Sequence, residues 1–169
     1  MERARSGRAI RESQSEGGRE SVLYSFPGSA STIPAEQGRR WTVESFAGFW
    51  KKPDASRVSG VLTEDVVGHW PRPIGVVRGA PAYVNVIATI LQVCPDFTVT
   101  VAEHAATGDF TFIRWVATGT APEGRFEFAG VDRVQTRNGR VCENRIYCDD
   151  PFFARIAATI ASGGERSGG

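Results

Sequence analysis

Asp132 and Asn144 stand where the sequence calls for apolar side chains. The stretch Phe126 to Asp149, FEFAGVDRVQTRNGRVCENRIYCD, reads as two strands joined by an Asn138-Gly139 turn. Asn-Gly tolerates the positive φ of a tight hairpin. Period-two alternation puts Phe126, Phe128, Gly130, Asp132 and Val134 on one face of the first strand. It puts Cys142, Asn144, Ile146 and Cys148 on one face of the second, with Val141, Glu143, Arg145 and Tyr147 on the other. A carboxylate facing an apolar interior is costly unless paired or put to use. There it can serve as a general acid or base, because burial raises its pKa toward neutrality. The competing structural reading is a buried carboxylate satisfied by Arg114 or a backbone amide. Asn144 can hold a substrate carbonyl or a water, or bond a neighbouring strand. The chain's two histidines, His69 and His104, are the other groups that titrate near neutral pH. His104 ends a strand beside a turn, exposed or at a pocket mouth. Tyr83 and Trp115 are either core or walls for a flat substrate.

The elements that must position these groups follow from caps, periods and breakers. Thr42 caps a helix whose Phe46, Phe49 and Trp50 share a face, and Pro53 stops it. Asp54 caps a shorter helix closed by Gly60. Leu62 to Trp70 is extended, and Arg72 to Gly79 is a loop. Pro81 opens a long helix from Ala80 to Val93. Strands follow at Phe97–His104 and Phe110–Thr120, then the two of the hairpin, then a helix from Pro151 to Ala161. Helices followed by consecutive hairpins imply α+β, a curved antiparallel sheet with helices packed on one face.

The 169 residues suit one domain with a real core. Hydrophobic residues are 41%, charged residues 23% and the net charge is +1, which gives no basis for a nucleic-acid or membrane partner. Residues 1–40 are poor in hydrophobics and predict a disordered N-terminal arm. Its Val22–Pro27 run either lies on a surface or belongs to that arm. The expected domain spans 41–161, with a flexible tail at 162–169. Residues 1–20 lack the apolar run of a secretory signal. Cys94, Cys142 and Cys148 are odd in number. The last two lie about 20 Å apart along a strand, at ~3.3 Å per residue, beyond disulfide reach. All three read as small, buried, reduced side chains of a cytoplasmic protein. No Cys or His pair has metal-ligand spacing, so neither a metal nor a cofactor is expected.

Taken in order, His69-Trp70-Pro71, Arg78-Gly79 before a long helix, Pro95-Asp96-Phe97, Arg114 to Thr120, Gly130-Val131-Asp132-Arg133 and Asn138-Gly139-Arg140 up to Tyr147 and Asp149 resemble the SnoaL-like family of the nuclear transport factor 2-like superfamily. The resemblance covers about residues 42–155. It implies a cystatin-like fold, a curved sheet whose concave face is closed by helices into a conical pocket. It also implies a homodimer through the outer sheet face. Asp132 falls at the place of the cyclase's pocket histidine, and Ile146 at that of its acid/base aspartate. Trp115 and Ala117 fall where limonene epoxide hydrolase has an arginine and an aspartate, and His69 where it has a water-holding asparagine. The resemblance places His69 inside, as the partner of Asp132 in a His–carboxylate dyad. Trp115, Asn144, Ile146, Tyr83 and His104 would then contact the substrate. The implied function is a cofactor-free cyclase or isomerase. It would perform ring closure, isomerisation, dehydration or epoxide opening on a hydrophobic, oxygenated, polyketide-like small molecule. The alternative is a non-catalytic binding or dimerisation module of the same fold.

Overall fold

A computed structural model describes residues 40–164; the expected arm and most of the expected tail lie outside them. Helix α1 spans Val43–Lys51. Thr42 caps it reciprocally, its hydroxyl accepting from the Ser45 amide at 3.1 Å while the Ser45 hydroxyl accepts from the Thr42 amide at 2.9 Å. The expected second helix is instead two 3-10 turns, Ala55–Arg57 and Ser59–Val61. Pro53 and Gly60 leave too few residues for an i→i−4 ladder, and i→i+3 bonds suit such short pieces.

Six strands form one sheet: β1 (Leu62–His69), β2 (Val76–Arg78), β3 (Thr98–Thr107), β4 (Phe110–Ala121), β5 (Gly124–Arg137) and β6 (Arg140–Tyr147), in the order β2-β1-β6-β5-β4-β3. The α+β class holds. Every neighbouring pair is antiparallel except β1 with β6, which run parallel. No hairpin joins that pair. The chain leaves β1, builds a helix and four strands, and returns, so turn geometry does not fix its direction. Strand β2 falls inside the stretch expected to be a loop. Its three residues carry no alternation to read, and Pro71, Pro73 and Gly75 disguise it as a turn.

The Asn138-Gly139 turn forms as read, with Asn138 at φ 54° and Gly139 at φ 76°. Register slips occur between Leu62 and Val67 on β1, between Val101 and Glu103 on β3, and between Gln135 and Thr136 on β5. Such bulges bend a strand and sharpen its twist. The third has a consequence for the site. Thr136 pairs with Val141 and Gln135 with Glu143, leaving Cys142 as the extra residue. Val141 therefore turns inward and is buried, contrary to strict alternation. Cys142 turns outward and is half-buried, as is Cys148, while Cys94 is buried; all three are free thiols.

The helices α2 (Ala80–Val93) and α3 (Phe152–Gly164) pack on each other, α2 packs on β1, and α1 on β3. Helix α3 runs three residues past the expected Ala161. The core includes Val66, Ile90, Ile113 and Ile156, none more than 1% exposed. Stacked and edge-on contacts among Phe97, Phe126, Phe128, Phe152 and Phe153 close one end. Burial of such rings, worth ~1.5–3 kcal/mol each, fixes α3 against the sheet.

Candidate active site

Between the concave sheet face and the helices lies a cavity of 160 Å³. Its walls are largely apolar, with Phe46, Phe49 and Trp50 from α1, Ile87 and Ile90 from α2, and Val134 and Val141 from the sheet. Into it project Asp132, Asn144, Trp115, Tyr83 and Ile146. Strand pairing explains the convergence. Ile113, Asp132 and Ile146 are successive cross-strand partners, and Val134 pairs with Asn144, so all share one face. The Trp115 indole lies flat over its partner Gly130. A Cβ on Gly130 would meet the ring at 2.4 Å, so the absent side chain is what seats the tryptophan.

Asp132 is 5% exposed and holds two neutral donors. Trp115 Nε1 donates to Oδ1 at 2.9 Å, and Asn144 Nδ2 donates to Oδ2 at 2.9 Å. Asn144 Nδ2 also donates to the Tyr83 hydroxyl at 3.0 Å. Among the described residues no cation contacts the carboxylate; Arg114 sits instead in an exposed pair with Glu103. Burial disfavours the charged form more than the two N–H donors favour it, and pushes the Asp132 pKa up from 3.8 to about 6. Burial, followed by the nearby Asp132, raises the Tyr83 phenol above its ordinary range. Tyr83 is thus a neutral hydroxyl at physiological pH. The group is one carboxyl able to gain or lose a proton near neutrality, held in register by an indole and an amide, at the wall of a largely apolar cavity.

His69 does not face this cavity. Val66, Gly68 and Trp70 point inward along β1, so alternation sends His69 to the convex face. There its Nε2 lies 3.6 Å from Glu143 Oε1 and 3.4 Å from an Arg145 guanidinium nitrogen. The expected dyad with Asp132 does not form, because a sheet separates the two side chains. His104 pairs with Ile113 but is exposed and takes no part in the cavity wall. Trp70 and Val141 line the cavity without having been expected there. The Val66–Gly68–Trp70 alternation could have disclosed the first; the bulge at Cys142 hid the second. Among the described residues no three His, Cys, Asp or Glu side chains converge as metal ligands, and no helix is long and apolar enough to cross a membrane.

Comparison with known proteins gives the lineage. Solved structures share the fold at low identity. The chain is similar to IdmH from Streptomyces antibioticus, described as a putative polyketide cyclase, at 24% identity over 69% of this chain and 97% of that one, with a TM-score of 0.57. It is similar to a putative SnoaL-like polyketide cyclase from Jannaschia sp. CCS1 at 17% identity, over 62% of this chain and 83% of that one, with a TM-score of 0.55. It is also similar to AclR from Streptomyces galilaeus, described as a putative hydroxylase, at 21% identity, over 68% and 81%, with a TM-score of 0.54. No curated protein matches the sequence. The SnoaL-like domain itself matches residues 43–144, from the first turn of α1 to Asn144 in the cavity wall, and the chain therefore belongs to the SnoaL-like domain family.

Proposed function

We propose that the protein is a cofactor-free cyclase or isomerase acting by proton transfer on a small, apolar, oxygenated ring or ring-forming ketone, polyketide-like in chemistry. The observation that carries this reading is Asp132, a buried carboxyl at the cavity wall with no cation beside it among the described residues and a pKa of about 6. A carboxylate in that state removes a proton from carbon next to a carbonyl. The electrons of the broken C–H bond form an enolate, which either is reprotonated at another carbon or attacks an electrophilic carbonyl to close a ring. In both cases the proton on Asp132 returns, to carbon or to the new alkoxide, and no external reagent is consumed. Trp115 and Asn144 hold the carboxyl in place, Ile146 and the aromatic walls exclude water, and Tyr83 fixes the Asn144 amide. A mere dimerisation module would be expected to fill the cavity with side chains or lock Asp132 to an arginine, and the geometry favours neither. The names of IdmH and the Jannaschia protein support the cyclase side of the proposal.

The working form is proposed to be a homodimer through the convex sheet face, which displays Phe112 and Tyr147, 40% and 51% exposed, among arginines. The test of the chemistry is proton exchange. Small cyclic ketones incubated in D₂O should exchange α-protons faster with the protein, and Asp132→Asn should reduce that rate roughly 10²–10⁴-fold. Equal exchange by the folded wild type and Asp132→Asn would overturn the assignment.

A further inference from the structure

The hydrogen-bond network around Asp132 leaves two buried groups in the cavity wall without partners among the described residues: Trp70 Nε1, a donor, and Asn144 Oδ1, an acceptor. Both residues are more than nine-tenths buried, at 7% and 4% exposure. An unpartnered buried polar atom costs about 1–3 kcal/mol, so two in one wall call for an explanation. The orientation of the Asn144 amide is dictated by its neighbour. Asp132 Oδ2 accepts, so Nδ2 must face it and Oδ1 must face away.

Strand pairing brings together the residues that carry them. Gly68 on β1 pairs with Asn144 on β6. Trp70 Nε1 stands 2.7 Å from where a Cβ of Gly68 would lie, beside the Tyr83 ring at 2.8 Å. Any side chain at Gly68 would expel the indole. Adjacent strands are about 4.8 Å apart, and one oxygen bonded on both sides bridges roughly 5–6 Å. We infer that Trp70 Nε1 and Asn144 Oδ1 form a second polar subsite, next to Asp132, that seats the neutral hydroxyl of a cavity ligand.

The chemistry selects among oxygen groups. A hydroxyl accepts from Trp70 and donates to Asn144 with a single atom. A carbonyl or ether oxygen satisfies Trp70 alone, and an ammonium leaves Trp70 facing another donor. A carboxylate offers nothing to Asn144 Oδ1. The cavity's 160 Å³ is of the order that holds one small ring, which makes the class a phenol, enol or cyclic alcohol. The shared O–H chemistry could also come from water, and the two sources separate experimentally.

The subsite rests on the cavity's taking a small molecule but not on Asp132's transferring a proton. Its probes are phenol and toluene, matched in size, titrated against the intact protein by NMR and calorimetry. Phenol should bind roughly 2–10-fold tighter than toluene, the worth of one net hydrogen bond. Trp70→Phe should bring the ratio near one. In the wild type, where folding of a variant is not at issue, the Trp70 indole N–H resonance should move with phenol and not with toluene. Crystals of the free protein should show a water between the two atoms that phenol oxygen replaces. Equal binding of the two probes, binding of neither, an unshifted Trp70 resonance, or a water that stays while phenol binds elsewhere would each overturn the inference.

Discussion

Replacing Asp132 by asparagine should stabilise the protein at neutral pH and do nothing for it in acid. The carboxyl titrates near 3.8 in an unfolded chain and at about 6 in the fold. Between those values the folded state holds a proton that the unfolded state has released. The stability Asp132 contributes is therefore full below 3.8 and is lost as pH rises through 6. A difference of about two pK units corresponds to roughly 3 kcal/mol at ~1.4 kcal/mol each. Asparagine escapes this loss and fits the network. Its Oδ1 can accept from Trp115 Nε1. Its Nδ2 can donate to Asn144 once that amide turns over, and the Tyr83 hydroxyl then donates to the same Asn144 oxygen. Urea unfolding of both proteins at pH 3.5 and 7.5 gives the comparison, with the other carboxylates cancelling between them. The stability gap should open by about 1–3 kcal/mol in favour of the mutant between the two pH values. A gap that is flat with pH, or a mutant weaker at pH 7.5, would refute the account of Asp132 as a desolvated and unpaired acid.

His69→Ala should leave α-proton exchange within about twofold of wild type, since His69 lies on the convex face beside Glu143 and Arg145; a loss of the general acid/base size, roughly 10²-fold or more, would restore it to the site. Gly130→Ala puts a methyl 2.4 Å from the buried Trp115 ring and should cost about 1–3 kcal/mol in unfolding experiments. Because it also moves Nε1 from Asp132, it should raise the Asp132 pKa further, as read by the carboxyl carbon shift in NMR titration. Sedimentation should give a dimer at micromolar concentration and a monomer for Tyr147→Glu, because a carboxylate replaces an exposed aromatic on the proposed interface; an unchanged sedimentation coefficient would place any interface elsewhere.

Local chemistry made much of this fold legible. Thr42, Pro53 and Pro81 marked helix limits, and Asn138-Gly139 marked the turn of the β5–β6 hairpin. The apolar alternation within each strand put Asp132, Asn144 and Ile146 on the concave face, and the bulge at Cys142 is what brings the two faces into one register, with Asp132 opposite Ile146. Where alternation is broken by a bulge, sequence reading fails, as at Val141 and Cys142, because the extra residue leaves no compositional trace. His69 failed for a related reason. Its placement inside came from the family resemblance, whereas the Val66–Gly68–Trp70 pattern around it pointed outward.

The sequence by itself determined most of the elements, the hairpin turn, and an ionisable side chain on an apolar face, because each depends on residues near in the chain. Only the tertiary structure decided what that side chain meets. Trp115 comes to Asp132 across a strand pair, over a glycine whose purpose appears only when the two strands adjoin. Tyr83 reaches Asn144 from a helix 61 residues away. The parallel pairing of β1 with β6 brings Gly68, and with it Trp70, beside Asn144. A pKa near 6 depends on desolvation by all of these at once, and desolvation is a property of the packed surroundings, which no local pattern encodes.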